Sequence, residues 1–142
     1  MNERLWPELD YVNWKASCET LRRWVQIVGK IRLRKSPWVN HSWNATFYVS
    51  ARGLTTSVIH DQTVSFSIEF DFTEHVLRIM TSGGSGLNRT IPLVSESVAS
   101  FHAKCIDSLE ELGIRAETFD HHLDHPNELV DATPFSKDLT HC

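Results

Sequence analysis

An α+β domain is the architecture this sequence predicts: an antiparallel β-meander of three to five strands with two long helices packed on one face. Three observations lead there. Apolar residues recur at three- and four-residue steps from Asn13 towards Pro37, the period of a helix. The period then changes to two over residues 44–72, the period of a strand. Helical spacing returns over residues 95–113, bounded by serines and a glycine.

In the first helix Trp14, Cys18, Leu21, Val25 and Val28 form the apolar stripe, and Trp24, Ile27 and Ile31 widen it. Asn13 has the side chain of a cap, and Pro37 stops the helix by disfavouring helical backbone at the residue before it. Gly29 inside the stripe marks close packing.

The strands follow. NATFYVSARG (residues 44–53) sets Phe47 and Val49 on one face, with Tyr48, Ser50 and Arg52 on the other. TVSFSIEFDF (63–72) sets Val64, Phe66, Ile68, Phe70 and Phe72 against Ser65, Ser67, Glu69 and Asp71. TEH turns the chain into VLRIMT, and SGGSG (82–86) is a loop. NRTIPL (88–93) is a fourth strand, placed at an edge by Pro92. The second helix carries Val98, Phe101, Cys105, Leu109 and Leu112 inward, with Ser95 as cap and Gly113 just past its end. IRAETF (114–119) reads as a last strand. This gives a domain over residues 1–119 and a polar tail or connector over 120–142.

Bulk properties narrow the function classes. The chain has 142 residues, enough for one domain with its own core, and 41% of them are hydrophobic, which argues against disorder. Fourteen Lys and Arg against 18 Asp and Glu leave a net charge of −4, so no general field favours nucleic acid. The one basic run, KIRLRK (30–35), sits at a helix C-terminus, where cations complement the dipole. No apolar stretch has the length of a membrane span, and the first ten residues lack the apolar core of a signal peptide. Three unclustered cysteines fit a reduced, cytoplasmic protein.

Two regions have the side chains of a site. The first joins SPWVNHSWN (36–44) to the polar strand face, giving Trp38, Asn40, His41, Trp43, Asn44, Tyr48, Arg52, Glu69 and Asp71. The tryptophans would wall a ligand or anchor the core, the amides and His41 would supply hydrogen bonds, and Arg52 would meet an anion. Glu69 and Asp71, two apart on a strand, are also the pair that a hydrolase would use as acid and base or as metal ligands, with His41 and His141 completing the set. The second region is FDHHLDHPN (119–127). His121, His122 and His125 are the candidate ligands should a divalent metal, functional or adventitious, bind, and no cofactor is otherwise expected. Its DHH resembles the signature tripeptide of the DHH phosphoesterases, without their upstream aspartates or parallel strands. The Pro, Asn and Asp around it equally make a solvated turn.

Trp6-Pro7, LRRWVQIVGKIRL (21–33), PWVNHSWN, YVSARGLTTS (48–57), FSIEFDFTEHVLRI, SVASFH and PNELVDATPFSKDLTH (126–141) occur in order along the chain. Together they resemble an uncharacterised bacterial family, domain of unknown function family 5996. The resemblance implies no known activity. It implies longer chains with a second half that echoes the first, so this chain resembles the N-terminal half. DHHLDH is not part of the shared pattern. The resulting expectation is a cytoplasmic domain binding an unknown small molecule. The alternatives are one half of a homodimer or two-half assembly, and a metal-dependent or carboxylate/His hydrolase. No nucleic-acid or membrane partner is expected.

Overall fold

The computed structural model describes residue 8 and residues 10–36, 46–62, 64–83 and 88–115. Their order is α1 (Tyr11–Lys35), β1 (Tyr48–Val49), β2 (Gly53–Thr55), β3 (Ile59–Asp61), β4 (Val64–Asp71), β5 (Val76–Thr81), β6 (Arg89–Pro92) and α2 (Val98–Glu111). This is the α+β arrangement expected, with six strands among the described residues rather than three to five. The strands run antiparallel in the order β1-β2-β4-β5-β6, and β3 also pairs with β4. Among the described strands β6 lies at one edge, so Pro92 costs them no ladder bond on its outer side. The tail (120–142) and the last strand expected from IRAETF lie outside the described residues, apart from Ile114 and Arg115, which are not in a strand.

The extra strand comes from a break in what alternation reads as continuous. Tyr48–Val49 stops at a turn in which the Ser50 N–H donates to the Gly53 carbonyl (2.8 Å), and the chain doubles back as β2. β2 and β3 then lie end to end along one side of β4. Thr55 faces Glu69 and Ile59 faces Phe66, so three residues (56–58) oppose two (67–68). That is a β-bulge. Ser57 takes the left-handed conformation (φ 58°), and buried Thr56 repairs the ladder. Its N–H donates to the Ile68 carbonyl (2.9 Å), and its Oγ1 accepts from the Ile68 N–H (3.0 Å). A bulge depends on the register of two strands, and a one-strand period does not contain it.

Helix ends follow capping chemistry, but both N-caps are residues other than those expected, Asp10 three positions before Asn13 and Ser97 two after Ser95. Asp10, not Asn13, caps α1: its carboxylate accepts from the Val12 N–H (3.3 Å), and Asn13 Nδ2 donates to its other oxygen (3.1 Å). Ser36 before Pro37 is extended, as the proline requires. Ser97, not Ser95, caps α2 by accepting from the Ser100 N–H (3.1 Å). Gly113 (φ 77°) ends that helix: its N–H donates to the Glu110 carbonyl, and the Ile114 N–H donates to that of Leu109 (both 2.9 Å). This pair of bonds is a Schellman motif.

One buried cluster joins the helices to Ile59, Phe66, Ile68, Phe70, Leu77, Ile79 and Ile91 of the sheet. Trp24 of α1 stacks on Phe101 of α2, with ring centroids 4.5 Å apart. The buried side of α1 is Ser17, Thr20, Trp24, Ile27, Val28 and Ile31, rotated from the stripe that hydrophobicity picks out. Trp14, Cys18, Leu21 and Val25 are only half-buried flanks. Thr20 tolerates burial because its hydroxyl donates to the Ala16 carbonyl one turn back (3.1 Å). The far end of α1 is fastened to β3 by Lys35 and Asp61 (3.0 Å), both largely shielded from water.

The two positive-φ glycines make different demands. A Cβ on Gly53 would collide with the Phe70 carbonyl oxygen, whereas one on Gly113 would meet open space. Gly113→Ala should therefore cost only the left-handed backbone penalty, about 1–2 kcal/mol. Gly53→Ala should cost more than that, because β2 and β4 must part. Urea unfolding of both variants checks the order.

Candidate functional site

The polar face of the sheet is assembled by register. Residues opposed in antiparallel strands share a face. Tyr48 faces Thr55, Thr55 faces Glu69, Glu69 faces Arg78 and Arg78 faces Thr90, a row of five polar side chains across five strands. The next positions along the strands give Val49, Leu54, Phe70, Leu77 and Ile91, a row on the opposite face. The alternation of β4 therefore separates core from polar surface, as its sequence predicts.

At one end of the polar face stands Asp71, with no exposed surface at all. Its Oδ1 accepts from the Thr73 N–H (3.0 Å), the Thr73 hydroxyl (2.7 Å) and the Glu74 N–H (3.0 Å). These bonds shape the 72–75 turn into β5, where His75 takes a left-handed φ of 55°. Its Oδ2 accepts from Arg52 Nε (2.6 Å) and Arg78 Nε (3.2 Å). Arg52 also reaches Glu74 (3.4 Å). Burial is the largest single influence on the carboxyl and pushes its pKa up. The bonds from Arg52, Thr73, the Glu74 N–H and Arg78 together outweigh it and hold the group well below the usual carboxylate range. The Arg52 guanidinium is raised in return, first of all by its bond to Asp71.

Beside this cluster Ser50 Oγ donates to Glu69 Oε1 (2.7 Å) and accepts from the N–H groups of Arg52 (3.2 Å) and Gly53 (3.1 Å). The hairpin turn is thereby fixed to β4. Tyr48 is half exposed at the outer end of the row, and the Arg32 guanidinium of α1 lies 5.3 Å from its ring centroid.

Of the expected site residues, the fold brings Tyr48, Arg52, Glu69 and Asp71 onto one end of one face. Two corrections follow. Arg52 is not on a strand with Tyr48 but in the turn between β1 and β2, which lets it fold over Asp71. Asp71 is no solvated acid or base beside Glu69: both its oxygens are committed, and two arginines keep it ionised. Trp38, Asn40, His41, Trp43 and Asn44 lie outside the described residues, as do His121, His122 and His125. Among the described residues no group of three or more His, Cys, Asp or Glu side chains could hold a metal ion. Thr55, Arg78 and Thr90 were not expected in the site. Arg78 alternates with core residues Leu77 and Ile79, and setting VLRIMT beside FSIEFDF in antiparallel register would have found it.

The model of the family described as "Family of unknown function (DUF5996)" matches residues 6–142, essentially the whole chain and not an N-terminal part of it, and the chain belongs to that family. No curated protein and no solved structure matches the chain. No helix among the described residues is long and apolar enough to cross a membrane.

The Asp71 cluster sets an acid limit on stability. A carboxyl whose folded pKa lies below its unfolded value, about 3.9, contributes stability that is present above that value and lost as pH falls towards the folded pKa. Asp71→Asn should lower stability near neutral pH by about 2 kcal/mol, the scale of hydrogen bonds to a charged partner. It should also flatten the fall in stability below pH about 4. Urea midpoints of both proteins from pH 7 to pH 3 test this. Parallel curves would contradict it.

Proposed function

We propose that this chain is a binding or accessory domain, with the Tyr48–Thr55–Glu69–Arg78–Thr90 row as the floor of its ligand surface. The observation that carries the reading is the row itself: hydroxyl, carboxylate and guanidinium groups from five strands on one line. A floor of that kind offers donors and acceptors at the spacing of strands, about 4.8 Å, to a small polar molecule. The free thiols of Cys18 and Cys105 fit a reducing compartment, and we place the protein in the cytoplasm. Binding is preferred to hydrolysis because Asp71 is committed to the turn and the arginines and is not free to act with Glu69 as an acid–base pair.

A second reading, part of a larger assembly, draws on the apolar row. Ile91, Leu77 and Phe70 are buried and Leu54 is half-buried, but Val49 at the outer end is 86% exposed. On this reading a partner would cover that exposed end of the row.

Native mass spectrometry of the gently purified protein, followed by the same sample denatured, separates the readings. The binding reading expects a retained small-molecule mass that denaturation releases. A folded Thr90→Arg variant, which sets a long charged side chain into the row, should lose that mass. A bare dimer favours assembly, and a bare monomer counts against both.

A further inference from the structure

Arg32 is the described cation whose surroundings leave most to explain. It is 7% exposed, in the last turn of α1. Lys35, Arg52, Arg78, Arg89 and Lys104 are more exposed, and each has a carboxylate at 3.2 Å or closer. Arg32 has the ring of Tyr48 at 5.3 Å, while its Nε and Nη1 are buried without a hydrogen-bond acceptor among the described residues. The helix C-terminus and the π-face accommodate its charge. Neither gives its N–H groups an acceptor, and buried donors left unbonded are costly.

We propose that Arg32 is the anchor for an oxyanion, the phosphate or carboxylate group of a small ligand whose remainder lies along the polar row. Guanidinium N–H groups match oxyanions in charge and in planar donor geometry. Tyr48 covers the guanidinium from a two-residue strand at the sheet edge, is 51% exposed, and begins the Thr55–Glu69–Arg78–Thr90 row. Binding requires that ring to swing aside and open Arg32 to a group arriving from that row. Arg52 and Arg78 are poorer anchors, since each gives its Nε to Asp71. The inference rests on the binding reading and names the ligand's class. It fails separately, because a retained neutral molecule would leave that reading intact.

Thermal unfolding in inorganic phosphate, in acetate and in chloride at matched ionic strength tests it, on the wild type and on Arg32→Met. An anion at tenfold its Kd should raise the wild-type Tm by about 3–5 °C over chloride. That excess should vanish in Arg32→Met. Phosphate alone producing it assigns a phosphate ligand, and acetate alone a carboxylate. No excess, or an equal excess in the variant from general salting effects, overturns the proposal. Should Arg32→Met not fold, the Arg32 Nε–H resonance of the wild type is followed as phosphate and then acetate are added. Saturable movement with either supports the anchor, and a stationary resonance with both overturns it.

Discussion

The carboxylate of Asp71 is withdrawn from water and still held in its charged form, and the polar end of the sheet is arranged around that fact. An ionised group in such a place needs its lone pairs filled. One oxygen is filled by the turn that leads into β5 and the other by two arginines from different segments. The carboxylate therefore does two structural jobs at once. It sets the path of the chain after β4, and it draws the β1–β2 turn and β5 towards a common point. Gly53 is opposite Asp71 in the register, and its backbone conformation would drive a Cβ into the Phe70 carbonyl oxygen of β4.

The same arrangement decides what the polar face can do. A pair of carboxylates on one strand face looks like acid–base machinery only while both are free. With Asp71 committed, Glu69 fixes the Ser50 hydroxyl and belongs to a row of mixed hydrogen-bonding groups. Burial also pushes the Cys105 thiol well above its ordinary range, with Glu96 adding to the effect, so that side chain is core and not a nucleophile. On the proposed reading, what the described residues leave on the face is recognition chemistry. It is a hydroxyl- and guanidinium-bearing floor, with a half-exposed tyrosine at its margin and a buried arginine behind that ring.

Much of this was legible in the sequence where the signal is local. The alternation in TVSFSIEFDF sorts core from polar face correctly because β4 lies between strands on both sides over most of its length, and period two is then enforced by burial. Pro92 marks an edge and Gly113 a helix end for equally local steric reasons. The misses share a different physics. The break at residues 56–58 is a property of two strands in register. The burial of Asp71 needs Arg52, 19 residues before it, and Arg78, seven after it. The core side of α1 includes Ser17 and Thr20, which hydropathy places outside, because small hydroxyl side chains can bond back to their own helix and admit close packing. Orphaned donors such as those of Arg32 have no sequence signature at all.

If one buried carboxylate couples the β1–β2 turn to β5, a double-mutant cycle on its two arginines tests that coupling most directly. Arg52→Met, Arg78→Met and the double variant would be compared with the wild type by urea unfolding at neutral pH. Either single variant leaves Asp71 Oδ2 one guanidinium, and the double variant leaves it none. Coupling through Asp71 predicts that the double variant loses more stability than the two single losses added together. Simple additivity would mean that each arginine acts alone, and it would contradict a coupling role for Asp71.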